Sequence, residues 1–359
     1  MSGGQAALGR AGAFCARFGL RLPILLAPMA GACPPALSIA VANAGGLGGC
    51  GATLMQPKEI DAWVSAVRAK TNGGFQLNLW VPDPPPARDP EVERAVRAFL
   101  SQWGPPVPAE AADFTLPDFA AQCDAMLAAR HAVISSIMGL YPVPVVDRMK
   151  ALGISWFATV TTVSEAKRAA AAGADVIVAQ GMEAGGHRAT FDAADAEATM
   201  AGLFALLPAV VDAVKVPVVA TGGIADARGV AAALLLGASA VQIGTGFLRA
   251  PEAGVPTAWA DALADALPER TLVTRAFSGR AGRSYATAYA RAAESPGAPS
   301  PAPYPVQRGL TQAMRSDAAK RNNLDAMQAW SGQSGWLAEA RPAAGIAQGL
   351  WRETLALLS

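Results

Sequence analysis

The sequence is poor in charged residues, in cysteine and above all in histidine, and each shortage excludes a class of protein. Charged residues are 16% of the 359, and 29 lysines and arginines stand against 28 aspartates and glutamates. Since the formal net charge is only +1, no basic surplus is available to neutralise phosphates, and we expect no nucleic-acid partner. The hydrophobic fraction of 52% excludes an intrinsically disordered chain.

Long apolar runs and targeting segments are missing as well. No uninterrupted apolar run reaches the roughly 18 residues that a membrane-spanning helix needs. The longest candidate, from Met200 to Val214, contains Pro208 and Asp212, which is typical of a helix with one buried face. The first 21 residues scatter arginines among small residues without an apolar core, which is not a signal-peptide pattern. We therefore expect no membrane association.

The four cysteines form no motif. Cys15, Cys33, Cys50 and Cys123 include no CxxC pair, and the closest two are 17 positions apart. Such spacing favours neither a disulfide framework nor a zinc site. We expect a cytoplasmic protein without a metal ion.

Eight short apolar runs alternate with alanine-rich helical patterns between residues 22 and 248. Near-continuous apolar runs are typical of parallel strands that are buried on both faces. Eight such strands alternating with helices predict an α/β fold, the (β/α)8 TIM barrel. The predicted strands are 22–29, 47–52, 75–81, 132–138, 154–160, 175–181, 216–224 and 240–248.

Two segments interrupt this alternation. Residues 82–117 are rich in proline around one short helix, and we interpret them as an insertion after the third strand. A second proline-rich stretch, 294–305, leads to two predicted helices at about 306–328 and 336–358. We expect the C-terminal helices to pack over the catalytic face of the barrel. The predicted domains are 1–250 for the barrel and 251–359 for the helical extension.

Only two histidines occur, and their positions relative to the strands distinguish them. Barrel active sites lie at the carboxyl ends of the strands. His131 precedes the fourth strand, at the opposite end, and we interpret it as a solvated or capping side chain. His187 follows the sixth strand within GMEAGGHRATF, where Gly185 and Gly186 allow a ligand to approach closely. His187 is therefore the candidate catalytic residue.

Glycines end the seventh and eighth predicted strands. Gly222 and Gly223 follow one strand, and Gly244 and Thr245 follow the other. Backbone N–H groups without bulky side chains at these two strand ends are typical of the phosphate sites of barrels. No GxGxxG opens a helix after the first strand and no GxxxxGK[ST] occurs, which argues against Rossmann and P-loop sites.

A flat apolar surface and buried amides complete the pattern. The first strand ends in Ala27, Pro28 and Met29, which can form a shelf for a planar ring. Asn78 and Gln180 place amides in otherwise apolar strands, where amides need hydrogen-bond partners. A phosphate site, a shelf for a ring and amides for its polar edge together suggest flavin mononucleotide (FMN).

Several motifs resemble those of the nitronate monooxygenase family, formerly called 2-nitropropane dioxygenases. The resemblance covers about residues 22–250, through LLAPMAG, GGLGGCGA, FQLNLWVP, QGMEAGGHR, VVATGGIADARG and VQIGTGFL. The C-terminal FSGRAGR, YPVQRGLTQAMR and WSGQSGW resemble the members that act on propionate 3-nitronate. EAGGHR together with ATGGIxDxRG is typical of a wider superfamily of flavin barrels, which includes FMN-dependent reductases.

The resemblance implies residue roles. It implies that His187 is the catalytic base and that Ala27, Pro28, Met29 and Asn78 surround the flavin ring. The other positions implied to bind FMN are Gln180, Gly185, Gly223, Gln242, Ile243, Gly244 and Thr245, and Gly186 and Gly222 adjoin them.

The resemblance also implies a reaction. An alkyl nitronate such as propionate 3-nitronate is oxidised by molecular oxygen, through FMN, to a carbonyl compound and nitrite. With a neutral nitroalkane, His187 would remove the α-proton, which suits a pKa near neutrality; protonated, it would stabilise an anionic nitronate. The expected partners are a small-molecule nitronate or nitroalkane and oxygen, and the expected assembly is a monomer or homodimer.

Two positions depart from the family pattern. Ala189 follows Arg188 where many relatives have glycine. Residues 136–139 read SIMG instead of a segment with an aromatic or histidine residue. This second departure predicts a more apolar pocket floor.

Two other functions stay open. One is an FMN-dependent reductase that uses NAD(P)H to reduce a quinone or an enoyl thioester. The other is a phosphate-binding isomerase or lyase without flavin. Rapid anaerobic bleaching by NADH would favour the first, and a colourless protein would favour the second.

The C-terminal extension contributes the last candidates. Tyr304 ends the proline-rich connector, and Gln333 lies in WSGQSGW. Aromatic and amide groups suit an apolar wall with a few orienting donors. We predict that Tyr304 or Gln333 contacts the flavin or the substrate cavity.

Overall fold

The structure, a computed structural model, describes residues 2–359. Its strands are β1 Ile24–Leu26, β2 Gly48–Gly51, β3 Phe75–Trp80, β4 Val133–Ile137, β5 Ser155–Val160, β6 Val176–Gln180, β7 Gly186–His187, β8 Val218–Thr221, β9 Ala240–Ile243, β10 Thr271–Thr274 and β11 Gly282–Tyr285. Its α-helices are α1 Gly3–Phe18, α2 Pro35–Ala44, α3 Pro57–Arg68, α4 Pro90–Leu100, α5 Phe119–Ala128, α6 Val143–Ala151, α7 Val163–Ala171, α8 Leu203–Ala213, α9 Ala227–Leu235, α10 Thr257–Ala262, α11 Ala288–Ala293, α12 Val306–Leu310, α13 Gln312–Lys320 and α14 Ala343–Leu358.

Eight strands form one parallel sheet in the order β1-β9-β8-β6-β5-β4-β3-β2. The sheet closes on itself because Leu25 of β1 forms a parallel bridge with Leu47, directly before β2. Helices α2, α3 and α5 to α9 alternate with these strands along the chain. The predicted (β/α)8 barrel is confirmed.

Local sequence signals place the ends of these elements. The side chains of Asp118, Thr162 and Asp226 accept backbone N–H groups at the starts of α5, α7 and α9. The strands are shorter than predicted, as β8 shows. It ends at Thr221 because Gly222 and Gly223 have φ of +109° and +70°, which no strand residue adopts.

The amino-terminal helix α1, which the sequence patterns did not predict, covers the lower end of the barrel. Phe14 and Phe18 of α1 pack against Phe157 near the start of β5, with ring centroids 6.2 and 5.0 Å away. Leu25 and Val133 belong to the same apolar cluster. Aromatic packing therefore seals the end of the barrel that lies opposite the strand carboxyl ends.

The C-terminal extension is less helical than predicted. The segment 306–328 is divided into α12, α13 and a 3-10 turn, and Asn322 beyond α13 has a left-handed φ of +54°. The segment 336–358 becomes helical only at Ala343, because Pro342 disfavours helical backbone before it. Strands β10 and β11 were not predicted: each has only four residues, and β11 also pairs with β7, far earlier in the chain.

The extension contacts the barrel at several places. Strand β11 pairs with β7 in the loop after β6, and α14 packs against α2 and α9 on the outer wall. The insertion contains α4 and a 3-10 helix at Ala109–Asp113, and this 3-10 helix packs on α12 of the extension. The boundary at residue 250 stays a prediction, because the apolar cluster of the C-terminal segment, which includes Phe277 and Leu310, also takes in Leu100 of the insertion and Leu248 after β9.

Residues 2–359 contain neither a membrane-spanning helix nor a metal-binding cluster. No helix in this range has the length and apolarity to cross a bilayer. The same residues hold no cluster of histidine, cysteine and acidic side chains that could bind a metal ion. The four cysteines are buried and free.

His131 is buried rather than solvated, so the interpretation as a solvated or capping residue is wrong. Its ring stacks on Phe75 with centroids 5.3 Å apart, and neither ring nitrogen has a hydrogen-bond partner in the described chain. Burial, assisted by the positive charge of Arg68, lowers the pKa of His131 to about 3.

The buried neutral state of His131 predicts that the protein loses stability in acid. The pKa of His131 in the folded protein lies below the unfolded value of about 6.5, so the unfolded chain takes up a proton first, and the free energy of unfolding falls as the pH drops from about 6.5 towards 3. Between pH 7 and pH 5, we expect the free energy of unfolding of His131→Leu to fall by about 2 kcal/mol less than that of the wild type. Urea denaturation at both pH values measures the difference, and identical losses would contradict the assignment.

Candidate active site at the carboxyl ends of the barrel strands

A cavity of about 430 Å³ lies where the barrel meets the extension, within the range typical of ligand pockets. All eight barrel strands contribute a residue at or just after the carboxyl end: Ala27, Thr53, Asn78, Ile137, Thr159, Gln180, Thr221 and Gln242. The extension covers them with Trp259, Tyr304, Arg308, Arg315, Met327, Gln328, Trp330 and Gly332 among others.

Most of the sequence-predicted site residues lie at this cavity: Ala27, Pro28, Met29, Asn78, Gln180, Gly185, Gly186, His187, Gly222, Gly223, Gln242, Gly244, Thr245 and Tyr304. Two do not line it. The side chain of Ile243 points away into the main core, as the alternation of a strand dictates after Gln242. Gln333 does not line the cavity, and its backbone N–H donates to the Glu183 carbonyl at 2.9 Å.

The glycines after β8 and β9 expose unpaired backbone donors. The N–H groups of Gly222, Gly223, Gly244 and Thr245 donate to no carbonyl within residues 2–359. A Cβ on Gly244 would lie 3.2 Å from Met29 Sδ at the cavity wall, so a larger side chain would occupy the cavity. Unpaired N–H groups beside open space form an anion site.

His187 is positioned by strand pairing with the extension. Gly186 and His187 form β7 and pair antiparallel with Gly282 and Arg283 of β11. The imidazole Nε2 lies 2.7 Å from Ser278 Oγ, while Nδ1 has no hydrogen bond in the described chain. Nδ1 is therefore the nitrogen available to a ligand.

Two indole rings enclose this imidazole. Trp80 and Trp330 contact it edge-on, with ring centroids 4.6 and 4.8 Å away. Burial lowers the pKa of His187 well below its usual range, and the charges of Arg308, Arg280 and Arg315 lower it further. The expected pKa near neutrality is therefore wrong: His187 is neutral at physiological pH.

The backbone around His187 is fixed by Gln180 and Arg188. The Gln180 amide donates to the His187 carbonyl at 3.1 Å and accepts from Ala189 N–H at 2.9 Å. Buried Arg188 donates to the carbonyls of Gln180 and Thr199 at 2.7 and 3.0 Å. The Gln180 side chain thus holds this loop, although it was predicted to bind the cofactor. Ala189 is accommodated because its φ is not in the left-handed region that would require glycine.

The SIMG segment was expected to make the pocket floor more apolar. Of its residues, Ile137 lines the cavity. Ser136 turns away and its Oγ accepts from Trp156 Nε1 at 2.9 Å. Met138 is buried with φ of +66° and does not line the cavity.

The extension brings an uncompensated positive charge to the cavity. Within residues 2–359, the Arg308 guanidinium makes no salt bridge and no side-chain hydrogen bond, and its Nε is buried. The hydroxyl of Tyr304, which precedes α12, is also buried without a partner. Burial raises the pKa of Tyr304 to about 12, so the phenol remains a donor. Arg308 and Tyr304 are thus unused donors beside the cavity.

Arg315 reinforces the positive charge. Its guanidinium donates to Arg308 O and Gln312 Oε1, both at 2.9 Å, and to Gln328 Oε1 at 3.2 Å. No carboxylate pairs with it in the described chain, and burial lowers its pKa to about 9. The cavity is therefore electrostatically suited to an anion.

Sequence reasoning missed Trp80, Ser278 and Arg308. Trp80 ends β3, so the strand-end rule could have found it. Ser278 and Arg308 lie in FSGRAGR and YPVQRGLTQAMR, motifs that carried the resemblance without an individual role. Nothing local in them indicates that they reach His187 or the cavity.

Comparisons with known proteins identify relatives over nearly the whole chain. A family model described as nitronate monooxygenase matches residues 15–353. Relatives named nitronate monooxygenase, from Paraburkholderia phytofirmans and Pseudomonas aeruginosa, are each 37% identical, over 93% and 95% of this chain and 93% and 98% of theirs.

Solved structures agree in fold and coverage. Nitroalkane oxidase from Streptomyces ansochromogenes is 35% identical, with a TM-score of 0.85 over 95% of this chain and 98% of its own. FabK from Thermotoga maritima is 27% identical, with a TM-score of 0.74 over 96% of each chain. The likeness therefore includes the extension as well as the barrel.

The neutral state of His187 can be observed directly, because the chain has only two histidines. In His131→Leu, the single imidazole signal in ¹H–¹³C NMR of histidine-labelled protein should not titrate between pH 8 and pH 5.5. Adding Arg308→Met should raise the pKa, since a positive neighbour is removed. A signal that titrates near pH 6.5 in the single variant would contradict the assignment.

Proposed function

The chain belongs to the nitronate monooxygenase family, and on that basis we propose that it is an FMN-dependent enzyme for a nitronate that carries a second anionic group, such as propionate 3-nitronate. Oxidation of nitronates is the general activity of the family. The proposed oxidant is molecular oxygen, and the proposed products are a carbonyl compound and nitrite.

The observation that supports recognition of a second charge is the Arg308 guanidinium, which lines the cavity half-buried, with its Nε buried and without an acidic partner. A charge withdrawn from water is unfavourable unless it is paired, so the site favours a ligand that brings a carboxylate. Tyr304 offers a hydroxyl donor at the same cavity, and its ring lies 5.2 Å from Trp80, which also contacts His187. A nitronate with a carboxylate a few bonds away would fit between these groups.

The residues at the cavity fit a flavin, and FMN in particular. The unpaired N–H groups of Gly222, Gly223, Gly244 and Thr245 suit a terminal phosphate. Ala27, Pro28 and Met29 supply an apolar wall, and Asn78 and Gln242 supply amides for a polar ring edge. When bound, the flavin supplies the redox chemistry that amino-acid side chains lack.

His187 suits the role of base towards a neutral nitroalkane. Ser278 Oγ accepts from Arg280 N–H and has the Arg280 carbonyl for its own proton, both at 3.3 Å. The hydroxyl can therefore accept from Nε2–H, and this tautomer leaves the Nδ1 lone pair free for the α-proton. Because burial, assisted by the nearby arginines, lowers the pKa of His187 and favours its neutral form, anion binding falls to Arg308 instead.

Trp80 and Trp330 have a separate role beside His187. Their rings pack on the imidazole and leave His187 half-buried. A substrate bound there would have less contact with water, which would strengthen its interaction with Arg308. The same rings would keep competing proton donors away from the reacting carbon.

The proposal is tested by isolating the protein and recording its absorbance and its oxygen uptake. We expect a yellow protein that releases FMN on denaturation and consumes oxygen with propionate 3-nitronate. Anaerobic addition of NADH should not bleach it. Rapid bleaching by NADH without turnover of nitronate would support a reductase instead, and a colourless protein would contradict a flavin enzyme.

Arg308 should discriminate between nitronates with and without a carboxylate. We expect Arg308→Met to lower kcat/KM for propionate 3-nitronate about 10- to 100-fold, since a charge-assisted hydrogen bond contributes about 1.5–3 kcal/mol. For ethyl nitronate, which has no carboxylate, the loss should be much smaller. Arg352→Met, at an exposed position on α14, is the matched control and should leave both substrates unaffected. Equal losses on both substrates would contradict carboxylate recognition.

His187 should matter for proton removal and not for a preformed nitronate. We expect His187→Asn to retain FMN and to lose about 10²–10⁴-fold in kcat with nitroethane, the contribution usual for a general base. Turnover of ethyl nitronate should change far less. If both substrates lose activity to the same extent, His187 positions the substrate and does not act as the base.

A further inference from the structure

Two glutamines join their side-chain amides inside the barrel, beneath the cavity. Gln76 on β3 is fully buried, and Gln242 on β9 is 6% exposed. Gln76 Nε2 donates to the Leu26 carbonyl at 3.1 Å and to Gln242 Oε1 at 2.9 Å. Gln242 lines the cavity and Gln76 does not, so Gln76 can act on a ligand only through Gln242.

This arrangement determines which end of the Gln242 amide faces the cavity. The Leu26 carbonyl can only accept, so the Gln76 atom that faces it must be the NH₂ group. The same NH₂ group faces Gln242, which must therefore turn its Oε1 downward. Gln242 Nε2, which has no hydrogen bond in the described chain, is left for the cavity.

Asn78 provides a contrast on the same strand. Its Nδ2 lies 3.0 Å from Ser135 Oγ. A hydroxyl can donate as well as accept, so this contact would tolerate either end of the Asn78 amide. Gln180 is oriented by its own bonds to the backbone of His187 and Ala189, whereas Gln242 is oriented through a second side chain, Gln76.

Fold stability does not explain the glutamine at position 76. Its Oε1 is buried without a hydrogen-bond partner within residues 2–359. An unsatisfied buried acceptor destabilises the folded state, and an apolar side chain of similar size would avoid that penalty. The residue is better explained by what its NH₂ group does to Gln242.

We propose that Gln76 is a positioning residue, which holds Gln242 so that the cavity floor presents an N–H donor to an acceptor atom on the flavin ring. The inference rests on the proposed FMN cofactor. A donor fixed in advance binds the acceptor without first having to be oriented, and it acts on the electron density of the ring. Loss of Gln76 should therefore change both the affinity for FMN and the visible spectrum of the bound flavin.

The first test replaces the buried amide by an apolar side chain of similar length. We expect Gln76→Met to raise the Kd of FMN about 3- to 10-fold, measured by titrating the apoprotein, and to shift the visible absorption maximum. Its melting temperature as apoprotein should equal or exceed that of the wild type. Gln76→Leu should behave in the same way and serves if the methionine variant folds poorly.

A double-mutant cycle then tests whether Gln76 acts through Gln242. Gln242→Met alone should weaken FMN binding, and adding Gln76→Met should change the Kd by less than about twofold further. Fully additive losses, or a Gln76→Met protein with wild-type Kd and spectrum, would overturn the positioning role while the proposed function stands. A wild-type protein that binds no FMN would overturn the proposed function as well.

Discussion

The antiparallel pairing of β7 with β11 is the interaction on which the candidate site depends. It attaches the loop after β6 to the extension, through Gly282 opposite His187 and through Arg188 N–H donating to the Ala281 carbonyl at 2.9 Å. Strand β11 then continues to Ser284, which forms a bridge with Trp330. One short strand therefore positions both the imidazole and an indole that covers it, and neither the barrel nor the extension forms the site alone.

Uncompensated arginines give the site its electrostatic character. Arg308, Arg315 and Arg188 are all buried to a large extent, and none forms a salt bridge within residues 2–359. Arg188 donates to backbone carbonyls through its terminal nitrogens and has a structural role, whereas Arg308 has unused donors. Burial first, and the charges of Arg308, Arg280 and Arg315 second, lower the pKa of His187, so proton removal and anion binding are divided between different side chains. An anion that binds beside Arg308 would also stabilise the folded protein.

The barrel could be predicted from the sequence because its signals are local. Each strand is a short apolar run, and each strand end in a barrel points to the same face, so His187 and the glycines after β8 and β9 follow from counting strands. Strands β10 and β11 could not be predicted, because each has only four residues and β11 is positioned by its pairing with β7, far earlier in the chain. Arg308 and Ser278 were missed for the same reason: their contacts span tens of residues. The pKa of His187 depends on burial and on three arginines from the extension, which no pattern around residue 187 reveals.

The closure of the site by β11 has a consequence for synthesis of the protein on the ribosome. All eight barrel strands have been made by residue 243, but His187 lacks its strand partner until residues 282–283 emerge, and Trp330 follows about fifty residues later. Helix α14, made last, packs against α2 and α9, which are made early. Domains fold as the chain emerges, at about 5–20 residues per second. A nascent chain therefore passes through a period of several seconds in which the barrel strands are present without a complete site, and the final third of the chain completes it.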